Sequence, residues 1–175
     1  MDRASSMMGG KFLASIIPVL CGVIGVFAAN LPISFLGAWV PSPLYALMPV
    51  YFWCLVRPDL MSPALAFLIG VLHDILSGGP PGVWAASFVA TYAVIDKQRD
   101  AFAGLSGWGA LLGFATAALI ACATDYAIFD IYHWRVLPLT PYAMEFAVTA
   151  LFYAPVAVVL GAIHRHLVGP LRSDF

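Results

Sequence analysis

An all-α integral membrane protein, a compact bundle of about six transmembrane helices, is predicted by three features of this sequence. Hydrophobic residues make up 62% of the 175 positions and charged ones only 10%, more apolar surface than a soluble fold of this size can hide. Apolar runs of helical length recur along the chain, separated by short loops. The cations keep to one side of these runs: Arg3 and Lys11 precede the first, Arg57 follows the second, Lys97 and Arg99 follow the fourth, and Arg165 and Arg172 follow the last. Only Arg135 falls in a gap assigned to the other side. Cytoplasmic loops are enriched in Lys and Arg, so both termini are expected inside.

The spans are expected at about 12–29, 38–56, 63–77, 83–95, 105–129 and 143–167, a single transmembrane domain over residues 1–175. The first run, ending in Val26-Phe27-Ala28-Ala29, has the flanks of a secretory signal. An uncleaved first helix is the favoured reading, because the run is long enough for a slightly short span and the later topology is the same either way. Asn30 to Ser42 carries no charge and contains Pro32, Pro41 and Trp39, as suits an outer surface with an aromatic anchor. Arg57-Pro58-Asp59 is read as an inner turn.

The third and fourth segments are short, since about 15 helical residues rise only ~22 Å against a hydrocarbon core of ~30 Å. Their junction reads Ser77-Gly78-Gly79-Pro80-Pro81-Gly82. Glycine tolerates the positive φ that ends one helix, and proline opens the turn to the next, so a tight helical hairpin is expected at the membrane's outer edge. The fifth segment carries small residues every fourth position, Gly109, Gly113, Ala117 and Ala121, ending at Asp125. In lipid such a stripe lets a second helix approach closely. Shorter stripes occur at Ala66 and Gly70, at Gly25 and Ala29, and at Ala150, Ala154, Ala157 and Gly161. Pro18, Pro49 and Pro155 are expected kinks.

Acids inside spans normally face a partner, a cavity or water, because an ionised carboxylate in lipid costs several kcal/mol. The face Ala66, Gly70, Asp74, Ser77 puts Asp74 on the small-residue side, within reach of the hairpin amides. A structural role there outweighs a proton or ion site shared with His73, since adjacent helix residues point about 100° apart. Asp125 is read as bonding a neighbouring helix or reaching water, and Glu145 as a partner of its helix's N-terminal dipole. His164, Arg165 and His166 read as an inner interfacial cluster that touches anionic lipid.

Several function classes fall away. With a net charge of −1 the chain has no basic patch for nucleic acid. Cys21, Cys54 and Cys122 lie in apolar segments without metal-site spacing, and no disulfide, metal or cofactor is expected. The four histidines, His73, His133, His164 and His166, fit no HExxH or Ser-His-Asp order, and the glycine turn lacks the Lys-Ser or Lys-Thr of a phosphate loop, so an enzyme is not expected.

Arg57-Pro58-Asp59 followed by Phe67-Leu68-Ile69-Gly70-Val71-Leu72-His73-Asp74-Ile75-Leu76-Ser77-Gly78-Gly79-Pro80-Pro81-Gly82 resembles the rod-shape-determining membrane protein family MreD. The likeness is strongest over residues 43–100 and extends weakly to Thr124-Asp125-Tyr126, which looks like the family's acid late in the fifth span. His73, where the family usually has an apolar residue, and the second proline Pro81 depart from its pattern. The resemblance implies a non-enzymatic inner-membrane subunit of the bacterial elongation machinery that binds MreC. It implies joint work with the glycosyltransferase RodA, a class B penicillin-binding protein and, indirectly, MreB filaments. The family's fold is similar to substrate-binding subunits of energy-coupling-factor vitamin transporters. A small-molecule carrier of that type, with Asp74, Asp125, His133 and Arg135 around an outward pocket, is therefore the second reading.

Overall fold

A computed structural model describes residues 2–31, 41–99, 101, 108–134 and 136–168, with side chains from residue 15 onward. Pro32 and Trp39, the cations Arg135 and Arg172, the side chains of Arg3 and Lys11, and the start of the fifth predicted span lie outside what it describes. The described residues are helical without strands: α1 (Asp2–Ala29), α2 (Leu47–Val56), α3 (Pro63–Ser77), α4 (Val83–Lys97), α5 (Trp108–His133) and α6 (Thr140–Ile163), the last running into a π-helical turn, His164–Val168.

Among the described residues, two helices are long and apolar enough to cross a membrane, α5 and α6 with its π-helical extension. The other boundaries follow local chemistry. Ser62 caps α3 by accepting from Leu65 N–H at 3.2 Å, and Pro63 takes the first helical position, where its missing donor costs nothing. Gly78 closes α3 at φ 69° and Gly82 opens α4 at φ 95°, conformations that an L side chain adopts only under strain.

The second span departs from expectation. Helix starts at Leu47, and the described residues 41–46 before it are not helical, because Pro41 and Pro43 donate no backbone hydrogen bond and Pro43 disfavours helical geometry at Ser42. The remaining 10 residues of α2 rise only ~15 Å, half a hydrocarbon core. Pro49 is accordingly in the first turn of α2, where it has no helical hydrogen bond to break, instead of producing a kink. Pro18 and Pro155 do lie inside α1 and α6.

This short helix is the centre of the bundle. It touches α1, α4, α5 and α6, and the outer helices contact one another in the order α1, α3, α4, α5, α6, returning to α1 through the π-helical turn. Tyr51, Trp53, Met48 and Leu47 on α2 are buried with Phe88 of α4 and Phe114 of α5. The rings of Phe114 and Tyr153 stack at 3.8 Å, with Tyr51 edge-on to both. Two polar bonds hold α2's neighbourhood in register: Leu44 N–H donates to Thr149 Oγ1 at 3.0 Å, and Tyr92 Oη donates to the Met61 carbonyl at 2.9 Å. Large apolar side chains such as Ile24, Ile75, Leu112 and Leu151 point outward, as suits a bundle whose surroundings are themselves apolar.

The small-residue stripes of α3 and α5 are consumed within the chain. Gly113, Ala117 and Ala121 are buried where α5 packs on its neighbours, so the second helix that the stripe admits comes from the chain itself. A Cβ on Gly70 would come within 2.5 Å of Ala85 Cα, and one on Gly25 within 2.6 Å of the Tyr45 carbonyl oxygen. Because Gly70 meets backbone, the neighbouring α4 must move as a body to admit a methyl group. Gly70→Ala is therefore expected to destabilise the protein by about 1–3 kcal/mol. Reversible unfolding in mixed micelles measures this, and wild-type stability would contradict the close approach.

Candidate functional site

The hairpin of α3 and α4 is built around one carboxylate. Gly82, the residue before α4, has no side chain with which to cap the helix, so the first amides of α4 need another acceptor. Asp74 supplies it from α3: Oδ2 accepts from Gly82 N–H at 2.9 Å and from Ala85 N–H at 3.2 Å, and Oδ1 accepts from Trp84 N–H at 2.9 Å. Its charge also faces the positive end of the α4 dipole. Around this contact the Gly78 N–H and the Ser77 hydroxyl both donate to the Asp74 carbonyl at 3.2 Å. Ala66, Gly70 and Asp74 are buried on the α4 side of α3, whereas Ser77, Gly79 and Pro81 are exposed and Pro80 is half-buried.

His73 points elsewhere. It is buried, shares a hydrogen bond with Asn30 Nδ2 at 3.3 Å, stacks on Phe88 and meets Trp84 edge-on. It thus ties the end of α1 to the hairpin, a contact for which the sequence offered no signal beyond an unexpected polar residue.

Asp125 and Glu145 come together in a way that sequence reasoning missed. Both line an open cavity of about 480 Å³ at the hairpin end of the bundle, between the Gly79 turn and the connection from α5 to α6. Asp125 is only 2% exposed, yet its Oδ1 has no hydrogen-bond partner, so the expected bond to a neighbouring helix is not made by that oxygen. Glu145 lies past the first turn of α6, which contains no acid. Its carboxyl is therefore too far along the helix to serve the N-terminal dipole and instead lies within electrostatic reach of Asp125. Asp130, also overlooked, shapes the rim: it accepts from Leu137 N–H at 2.9 Å while Tyr126 Oη donates to the Leu137 carbonyl at 3.2 Å. His133 stacks on Phe129 at the same rim.

At the opposite end, Arg57 and Asp59 form a two-pronged pair, Nε to Oδ1 at 2.9 Å and Nη2 to Oδ2 at 2.8 Å. Arg99 pairs with Asp96 nearby. The cluster after α6 divides, with His164 edge-on to Trp53 and Arg165 and His166 exposed. Cys54 and Cys122 are buried, as small apolar residues are. Among the described residues, no group of three or more His, Cys, Asp or Glu side chains converges as a metal site would.

Comparison of the chain with protein-family models, with curated proteins and with solved structures returns no match.

Two outcomes are expected from the acids described. Asp74→Leu leaves the first amides of α4 without an acceptor and should cost about 3 kcal/mol or more, while Asp74→Asn, which keeps one acceptor oxygen, should cost less. Unfolding of both variants in mixed micelles tests this ordering. At the Arg57-Pro58-Asp59 turn, the hydrogen-bonded Arg57 guanidinium holds the Asp59 carboxyl below the usual carboxylate range. A depressed folded value means that the pair's contribution is present above the unfolded carboxylate's pKa and lost as pH falls through the folded one. The Asp59 side chain is 42% exposed, so solvent screening holds that contribution under about 1 kcal/mol. Stability measured from pH 7 down to pH 3 should fall by that much less in Asp59→Asn than in the wild type.

Proposed function

We propose that the chain is a multi-pass, non-enzymatic scaffold of the bacterial inner membrane, similar to MreD. In this reading it binds MreC and acts with RodA and a class B penicillin-binding protein, and indirectly with MreB, on side-wall peptidoglycan synthesis. Both termini face the cytoplasm, and the α3–α4 hairpin faces outward. The observation that carries the reading is the hairpin itself. The residues that bear the resemblance, Gly70, Asp74, Ser77, Gly78 and Gly82, are the ones that make the close helix approach, the carboxylate cap and the two positive-φ turns.

With the α5 stripe occupied, the open surface for a partner's single helix is the apolar groove of about 350 Å³ between α1 and α6, with Tyr45 and Pro49 at its floor. Ile24, Ala28 and Val159 line its walls. A partner helix seated there would close the ring of helices around α2 and gain van der Waals contact with little polar desolvation.

The cavity at the other end favours a second reading, a substrate-binding membrane subunit of the vitamin-carrier type, because its size falls in the ~300–1,000 Å³ range of small-molecule sites. Affinity purification from detergent separates the two. The scaffold should bring MreC with it at near-equal stoichiometry, and Val159→Trp should reduce the recovery at least several-fold. Leu119→Trp, on an exposed position of α5, should leave it unchanged. Failure to recover MreC, together with a vitamin that raises the protein's thermal stability, would favour the carrier.

A further inference from the structure

The cavity holding Asp125 and Glu145 carries chemistry that a scaffold does not need. Asp125 lines it, is nearly inaccessible, and has an Oδ1 without a hydrogen-bond partner. Burying a polar atom unpaired is unfavourable unless something else completes it. Glu145 adds a second carboxyl on the facing helix, within reach of the first charge. Neither acid has a cationic partner among the described residues, whose ion pairs are Arg57–Asp59 and Arg99–Asp96. Asp74, a further carboxylate within electrostatic reach of Asp125, has both oxygens engaged by the α4 amides.

The walls narrow the class of occupant. Two carboxyls exclude an anion, and an apolar molecule would leave both unpaired. The cavity is larger than a bare ion requires, and no three-residue cluster of metal-ligating side chains converges among the described residues. Trp84, Phe129 and Tyr142 are its aromatic lining, with Tyr142 and Tyr126 edge-to-face at 5.1 Å. Aromatic faces beside carboxylates attract a cation carried on an organic frame.

We propose that this cavity binds an organic ammonium group, with Asp125 and Glu145 as its counter-charges and Trp84, Phe129 and Tyr142 around it. The group is supplied either by a small free amine or by the ethanolamine headgroup of a membrane lipid. The site is separate from the groove between α1 and α6, and it stands whether or not the chain binds MreC.

The test uses the full-length protein purified in detergent. Ethanolamine hydrochloride and choline chloride should each raise its thermal stability above that in sodium chloride at equal ionic strength, since a ligand of the folded state adds to apparent stability. The neutral choline analogue 3,3-dimethyl-1-butanol should not. Glu145→Gln and Asp125→Asn should each weaken the response about 10-fold or more, as loss of a charge-assisted contact does. If free amines have no effect, native mass spectrometry after reconstitution in phosphatidylethanolamine–phosphatidylglycerol nanodiscs decides the lipid source. Selective retention of phosphatidylethanolamine by the wild type and not by Glu145→Gln supports the headgroup. An equal response to the neutral analogue overturns the proposal without relying on any variant. So does absence of both effects in the wild type. Recovery of MreC is scored separately, so its loss bears on the scaffold reading alone.

Discussion

The structure depends on a carboxylate that caps a helix it does not belong to. Asp74 sits on α3, but its oxygens receive the amides of Gly82, Trp84 and Ala85 at the start of α4. That exchange permits glycine at both ends of the turn. Gly78 and Gly82 supply the backbone geometry, and the polar groups they leave bare are satisfied from across the hairpin. It also permits Gly70 to meet Ala85 at backbone distance, because two helices tied at one end can pack without a side chain between them. In a surrounding with little water an unpaired amide is expensive, so the cap and the close approach reinforce each other.

From this hairpin the rest of the bundle follows as a problem of filling. Helices α3 and α4 are too short to cross a full hydrocarbon core upright, and α2 is shorter still. A short helix whose ends carry exposed amides and carbonyls is tolerated at membrane depth only when protein surrounds it. That is where α2 sits, enclosed by α1, α4, α5 and α6 and carrying the buried aromatic residues Tyr51 and Trp53. The long helices α5 and α6 form the outer wall, and α6 buries only Thr149, Tyr153 and Leu160. A helix with so little of its surface covered by its own chain is available to lipid or to a partner.

Much of this was legible in the residue order. The expected bounds 63–77 and the start at 83 coincide with α3 and α4, because the positive φ that the glycine–proline turn supplies is a local property. The reach of Asp74 to the hairpin amides could be read from its spacing to Gly70 and Ser77. The start of α2 was misplaced because mean apolarity continues through Pro41 and Pro43, and the backbone cost of those prolines outweighs hydrophobic length. The α5 stripe was recognised as a packing surface, but small residues do not say which helix they receive, and α5's neighbours within the chain took the place. The Asp125–Glu145 pair was missed for a related reason: nothing in positions 125 and 145 taken separately shows that the connection between α5 and α6 brings them to one cavity.

Asp74 and Asp125 make the contrast on which a functional reading turns. Both are acids near the end of an apolar helix, both are buried, and both lie at the same end of the bundle. One has both its oxygens engaged by backbone donors across the hairpin. The other keeps an oxygen unpaired and shares its cavity with a second carboxyl. A bundle selected only for stability would be served as well by an apolar residue at that position, since replacing a buried polar group by an apolar one of similar shape is close to neutral. An unsatisfied carboxyl opening on a cavity is therefore better understood as one half of an interaction whose other half arrives from outside the chain.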